Sequence, residues 1–157
     1  MKENIQMIRF ATLALLFASP AVADGHLSEE AALGMANFKQ CQACHMVIDA
    51  DGNKLAGRGK VGPNLFGVIG REAGAIEGFR YSKALVAAGE AGIVWDEATL
   101  SAFLLDPKGN IQELLDDPKA RTKMVLKLRA DRKNNLSVEE VAASIATYLK
   151  ELAPSEG

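Results

Sequence analysis

Five residues, CQACH at Cys41 to His45, hold both cysteines of a 157-residue chain and one of its two histidines. Thiols and imidazole gathered this tightly constrain the fold more than any other feature. Whatever surrounds them must present one turn of backbone to one centre of chemistry. A hydrophobic share of 48% gives a chain of this length enough apolar side chains for a single core around that centre.

The segments on either side of the motif are read from their punctuation. Ser28 is placed to cap a helix that carries Glu29 and Glu30 in its first turn, shows Leu33 and Phe38 on one side, and runs to about Gln42. After the motif, Asp49 to Gly62 holds Gly52, Gly57, Gly59 and Gly62 and precedes Pro63, a composition that predicts loop and no strand. Ser82 to Ala88 and Asp96 to Leu105 are predicted as short helices, the first ended by Gly89 and the second by the Asp106-Pro107 step. A further helix is expected from Asn110 to Leu115. The last is the clearest: Ser137 and Glu140 form a capping box, and Val138, Val141, Ala142, Ile145, Tyr148, Leu149 and Leu152 mark one apolar face. The chain thus reads as all-α, without internal repeats or an alternating strand pattern.

The first residues read as an export leader. Lys2 and Arg9 precede the apolar run Phe10 to Phe17, and Ala21-Val22-Ala23 offers small residues for cleavage after Ala23. An uncleaved leader would be a membrane anchor, but the run is well short of the ~20 residues a span requires, and Pro20 interrupts it. Residues 1–23 are therefore expected to be a cleaved signal peptide and Asp24 to Gly157 one soluble periplasmic domain. Cleavage removes Lys2, Arg9 and Glu3, which takes the formal charge from −2 to −3. Such a mildly acidic chain lacks the basic field of a nucleic-acid binder.

Three chemistries suit Cys-x-x-Cys in an exported chain: a disulfide, a thioredoxin-like redox pair, or covalent attachment of haem. A thioredoxin motif follows a strand and opens a helix, whereas this one follows a helix and opens a glycine-rich loop. Zinc would need a second cluster of ligands, and none exists in the sequence. A plain disulfide gives His45 no task. Haem attachment uses all three residues: Cys41 and Cys44 tether the porphyrin and His45 ligates its iron. For a sixth ligand, Met46 adjoins His45 and cannot reach the opposite haem face. His26 lies near the mature N-terminus and reads as a solvated residue, while Met35 sits on the incoming helix as packing. Met124 remains, in KARTKMVLKL.

With those residues in hand, the chain resembles the class I c-type cytochromes, most closely the longer soluble bacterial forms of the cytochrome c2 type. The likeness rests on CQACH, GPNLFGVIGREAG at Gly62 to Gly74, FRYSKAL at Phe79 to Leu85, Trp95, TKM ending at Met124, and a closing helix with Tyr148. It implies a cytochrome c fold: short helices and loops wrapped around one covalent haem c, with the N- and C-terminal helices crossing at Gly34, Phe38 and Tyr148. It further implies thioethers at Cys41 and Cys44, and axial ligation by His45 and Met124. The Pro63 carbonyl would accept the His45 N–H, and Arg71, Tyr81 and Trp95 would hold the haem propionates.

The sequence departs from the family pattern in places. No asparagine lies between Ala84 and Val94, Arg121 stands where glycine is usual before TKM, Leu126 replaces an aromatic, and the segments 107–123 and 128–137 are extended. The implied function is a monomeric periplasmic electron carrier and not an enzyme. It would shuttle single electrons from a quinol-oxidising complex to an oxidase, a reductase or a photosynthetic reaction centre. Docking on these membrane redox complexes would use the exposed haem edge, with Lys39, Lys60, Lys83, Lys119, Lys123 and Lys127 around it. The competing expectation is a haem-based gas sensor or peroxidase-like protein in which Met124 is labile.

Overall fold

The computed structural model describes residues 26–153, so the leader and its cleavage after Ala23 lie outside the described residues. Five helices and one two-stranded hairpin follow in the order α1 (Glu29–Asn37), β1 (Met46–Ile48), β2 (Lys54–Gly57), α2 (Lys83–Glu90), α3 (Glu97–Leu105), α4 (Pro107–Leu114) and α5 (Val138–Leu152). No described helix is long and apolar enough to cross a membrane.

Capping sets the helix starts. The Ser28 hydroxyl accepts from the Ala31 N–H (3.1 Å), and the Ser82 hydroxyl from that of Leu85 (3.2 Å). Asp96 accepts from the Thr99 N–H (2.7 Å). At α5 both halves of the capping box form: the Glu140 N–H donates to Ser137 Oγ (3.2 Å), and the Ser137 N–H donates to Glu140 Oε2 (2.7 Å).

Helices α1 and α5 cross where a side chain is missing. A Cβ on Gly34 would collide with the Ser144 carbonyl oxygen and stand only 2.8 Å from the Tyr148 Cβ, so glycine alone lets the backbones touch. One turn on, the rings of Phe38 and Tyr148 pack tilted with centroids 5.6 Å apart. The crossing is latched at its far end by Ser28, whose N–H and hydroxyl both donate to the Glu151 carboxylate (2.9 and 2.6 Å). Helix α3 lies against the other side of α5, where Lys150 pairs with Glu97 at 2.6 Å. Phe38, Val141, Ile145 and Leu149 are the buried centre of this packing.

Three expectations from the sequence are corrected. The first helix stops at Asn37 and tightens into a 3-10 turn, Phe38–Gln40, instead of running to Gln42. The tightening starts the wrap of CQACH, continued by hydrogen bonds from Cys44 and His45 N–H to the Cys41 carbonyl (3.1 and 2.9 Å). The region 49–62 is not loop throughout, because β2 pairs antiparallel with β1, Met46 facing Gly57 and Val47 facing Ala56. An Asp49 side chain accepting from the N–H groups of Asp51 and Asn53 (3.0 and 2.8 Å) closes the hairpin turn. Strands of three and four residues are too short to show alternation. The fourth helix begins at Pro107 and not at Asn110: Asp106 both ends α3 and caps α4, accepting from Gly109 N–H at 3.0 Å. Proline suits that first helical position because no N–H is required there.

Candidate haem site

The CQACH turn is gripped from outside by backbone. The N–H of Gly62 donates to the Cys44 carbonyl at 2.7 Å, and that of Gly59 to Gln42 at 3.1 Å. A Cβ on Gly62 would fall on the His45 ring, 2.5 Å from Nδ1 and 2.6 Å from Nε2. The glycines of this segment therefore serve close approach, which fixes the plane of the imidazole.

His45 is 8% exposed. Its Nδ1 lies 3.0 Å from the Pro63 carbonyl oxygen, which can only accept, so the proton sits on Nδ1 and the Nε2 lone pair is left for a metal. Burial pushes the His45 pKa below its ordinary value, and the Pro63 hydrogen bond pulls weakly the other way. The ring is thus held neutral, as a ligand must be.

The loop that delivers Pro63 is fastened by residues the sequence reading did not assign. Asn64 Oδ1 accepts from the N–H of Ile48 (2.9 Å) and of Phe66 (3.2 Å), while its Nδ2 donates to the Ile48 carbonyl (2.7 Å). Arg71 donates to the carbonyls of Asn64 (3.1 Å) and Phe66. Its backbone in turn pairs with Trp95, the Trp95 N–H donating to the Arg71 carbonyl at 2.9 Å. Burial lowers the pKa of Arg71 and raises that of Tyr81, whose hydroxyl the guanidinium faces. Trp95 itself is 7% exposed and packs on Phe103.

All the candidate residues converge on one cavity of about 480 Å³. Cys41, Cys44, His45, Pro63, Arg71, Tyr81, Trp95 and Met124 line it, with Leu65, Val68, Leu85, Leu100, Phe103, Ile145 and Leu149 forming apolar walls. Met124 is brought there by a loop that is itself tied down. Lys123 Nζ donates to the Arg80 carbonyl at 2.8 Å, and Gln112 Nε2 bonds the carbonyls of Pro118 (2.7 Å) and Ala120 (3.2 Å). Arg121, in the place of the usual glycine, donates to the same two carbonyls. Of the lysines expected near the opening, Lys123 and Lys127 line the cavity and Lys39 lines a neighbouring depression. Lys60, Lys83 and Lys119 are exposed outside both.

The donor set fits a haem. Two thiols, an imidazole with its free nitrogen and a thioether share one apolar cavity, with a guanidinium and a phenol as its polar groups. The fit to a dithiol redox centre is poor. Burial, with a smaller push from Cys44, raises the Cys41 thiol to about 12, the reverse of the activation a nucleophilic cysteine needs.

No protein-family model matches the chain. Cytochrome c2 of Rhodovulum adriaticum is 45% identical over 131 residues, which cover 83% of this chain and 98% of that protein. Cytochrome c-551 of Roseobacter denitrificans is 40% identical over 86% of this chain and 90% of its own. Among solved structures, cytochrome c2 from Rhodobacter sphaeroides superimposes with a TM-score of 0.69 at 38% identity, covering 76% of this chain and 93% of that one.

Proposed function

The chain belongs to the cytochrome c2 family, and on that premise we propose that it carries single electrons through the periplasm between membrane redox complexes. Its cofactor is one covalently attached haem c, and it is an electron-transfer protein, not an enzyme. The donor in this reading is a quinol-oxidising cytochrome complex, and the acceptor is an oxidase, a reductase or a photosynthetic reaction centre. The leader Met1 to Ala23 supports export.

When bound, the haem supplies a one-electron redox couple. Cys41 and Cys44 anchor it as thioethers. His45, oriented by Pro63, and Met124, held by its tied loop, would ligate its iron. A thioether donor and apolar walls favour the reduced state, which suits a high-potential carrier. Arg71, Tyr81 and Trp95 would hold the propionates, so that charge would be met by charge and hydrogen bonds inside the wall. The observation that carries the reading is the convergence of His45 and Met124, from distant parts of the chain, on the cavity that both cysteines line.

Docking uses the rim of that cavity. Cys44, Val61 (80% exposed) and Val125 (90% exposed) present an apolar tip, with Lys123 and Lys127 beside it. Apolar contact with a cationic ring gives fast, salt-sensitive encounter and quick release. The named relatives are cytochromes c2 and a cytochrome c-551, which does not favour a gas sensor or peroxidase. Potentiometric titration tests the reading: one reversible one-electron wave is expected, with electron transfer to an isolated membrane acceptor slowing as salt rises. A wave that is absent, or transfer that is indifferent to salt, would contradict it.

A further inference from the structure

A second depression, of about 380 Å³, lies where the end of α1 meets the segment 128–137, and Asn37, Lys39, Gln40, Arg129, Asp131 and Arg132 line it. The segment is docked by a reciprocal pair: Gln40 Nε2 donates to the Arg129 carbonyl, and the Arg129 N–H donates to Gln40 Oε1, both at 3.1 Å. This fixes the backbone that delivers Arg129 and Arg132 beside Lys39. The one carboxylate in the depression is already engaged. Asp131 Oδ1 accepts from the N–H of Lys133 (3.0 Å) and Asn134 (3.3 Å), and Oδ2 from the side-chain amides of Asn37 (3.1 Å) and Asn134 (2.7 Å). Those bonds hold its pKa below the usual carboxylate range. Among the described residues the single ion pair is Lys150 with Glu97. Lys39, Arg129 and Arg132 therefore face one concavity with the Asp131 carboxylate as its single negative charge. That carboxylate is turned to amide donors and forms an ion pair with none of the three, so the depression is net positive in a chain whose net charge is negative.

We propose that this depression binds a small polyvalent anion of the phosphate class, with Arg129, Arg132 and Lys39 as its ligands. Guanidinium forks match phosphoryl oxygens in pairs, and the lysine adds a point charge. The docked segment means that little backbone has to be ordered on binding. Gln40 lines both this depression and the haem cavity, so the site adjoins the redox centre. An anion there stabilises the more positive, oxidised protein, and by reciprocity the oxidised protein binds the anion more tightly. This linkage rests on the electron-carrier reading, whereas the binding itself does not.

Calorimetric titration of the haem-loaded protein with inorganic pyrophosphate, and separately with inorganic phosphate, at constant ionic strength held by chloride, tests the site. One saturable site is expected, tighter for pyrophosphate. Arg129→Gln and Arg132→Gln should each weaken it by about tenfold, as loss of one hydrogen bond to a charged group does, and the double variant should abolish it. Lys108→Gln, an exposed change on α4, should leave it intact. Amide shifts on titration should concentrate at residues 37–40 and 129–132. Absence of saturation, equal heats in the double variant, or shifts spread across all surface lysines would overturn the site. The reduction potential should fall as pyrophosphate is added to the parent and stay constant in the double variant; saturable binding without that fall would overturn the linkage alone.

Discussion

Replacing Gly34 with alanine sets helix propensity against helix packing, and the structure says which wins. The new Cβ would lie 2.5 Å from the Ser144 carbonyl carbon and 2.8 Å from Tyr148 Cβ, whereas non-bonded carbons settle at about 3.5–4.0 Å. The helices must therefore part by roughly 1 Å. Two of the obstacles are backbone atoms, which no rotamer change can move. Overpacking of this kind costs about 1–3 kcal/mol, and the upper end applies here. Alanine returns about 1 kcal/mol of helix propensity. The net loss is about 2 kcal/mol, which for a chain of this size lowers the melting temperature by about 6 °C at ~2.1 cal/mol/K per residue. Far-UV circular dichroism of the haem-loaded protein reads it directly. The opposite swap at exposed Ala36 on the same helix, Ala36→Gly, should cost about 1 kcal/mol from propensity alone. A Gly34→Ala variant as stable as the parent, or more stable, would show that the helices do not meet at that glycine.

Other residues give independent checks. Asn64→Ala removes three hydrogen bonds from the loop that carries Pro63; a loss of about 2–3 kcal/mol is expected by denaturant unfolding, and less than 1 kcal/mol would mean the loop is held elsewhere. Gly62→Ala drives a methyl group onto the His45 ring, so the haem-loaded variant should show a changed Soret spectrum; an unchanged spectrum would contradict the ring position. Asp131 has a folded pKa below its unfolded value, so its contribution is present above the ordinary carboxylate pKa of about 3.9 and is lost as pH falls through the folded value. Asp131→Asn should therefore flatten part of the stability loss as pH falls below the ordinary carboxylate range, and identical acid profiles for the two proteins would refute that.

The readable parts of this molecule were those whose signal is local. Ser28, Ser82, Asp96 and the Ser137–Glu140 box each mark a helix start through a bond spanning three residues, and all four starts are where the caps put them. Gly34 was legible through the family resemblance, and its physical reason, a glycine tolerated in mid-helix because another backbone packs against it, is what the crossing shows. Pro107 misled because proline was weighed only as a terminator of α3, although the same residue suits the first turn of α4. The hairpin was hidden because its pairing depends on Met46 meeting Gly57 across a turn, and neither strand has the length to show a period. Asn64 sits within GPNLFG, yet its task is set by Ile48, whose pairing with it only the folded chain discloses. The cavity walls were illegible for the same reason: Leu65, Val68, Leu100 and Phe103 come from separate segments and meet only there.

We propose that His45 and Met124 would both ligate the iron from within the chain, leaving it no position for a gas and electron exchange as its one task. Spectra of the reduced, haem-loaded protein under carbon monoxide test this most directly. The parent is expected to keep its spectrum unchanged at neutral pH, whereas Met124→Ala should take up the gas and shift its Soret band. Ready uptake by the parent, or an unaltered Met124→Ala spectrum, would contradict the account.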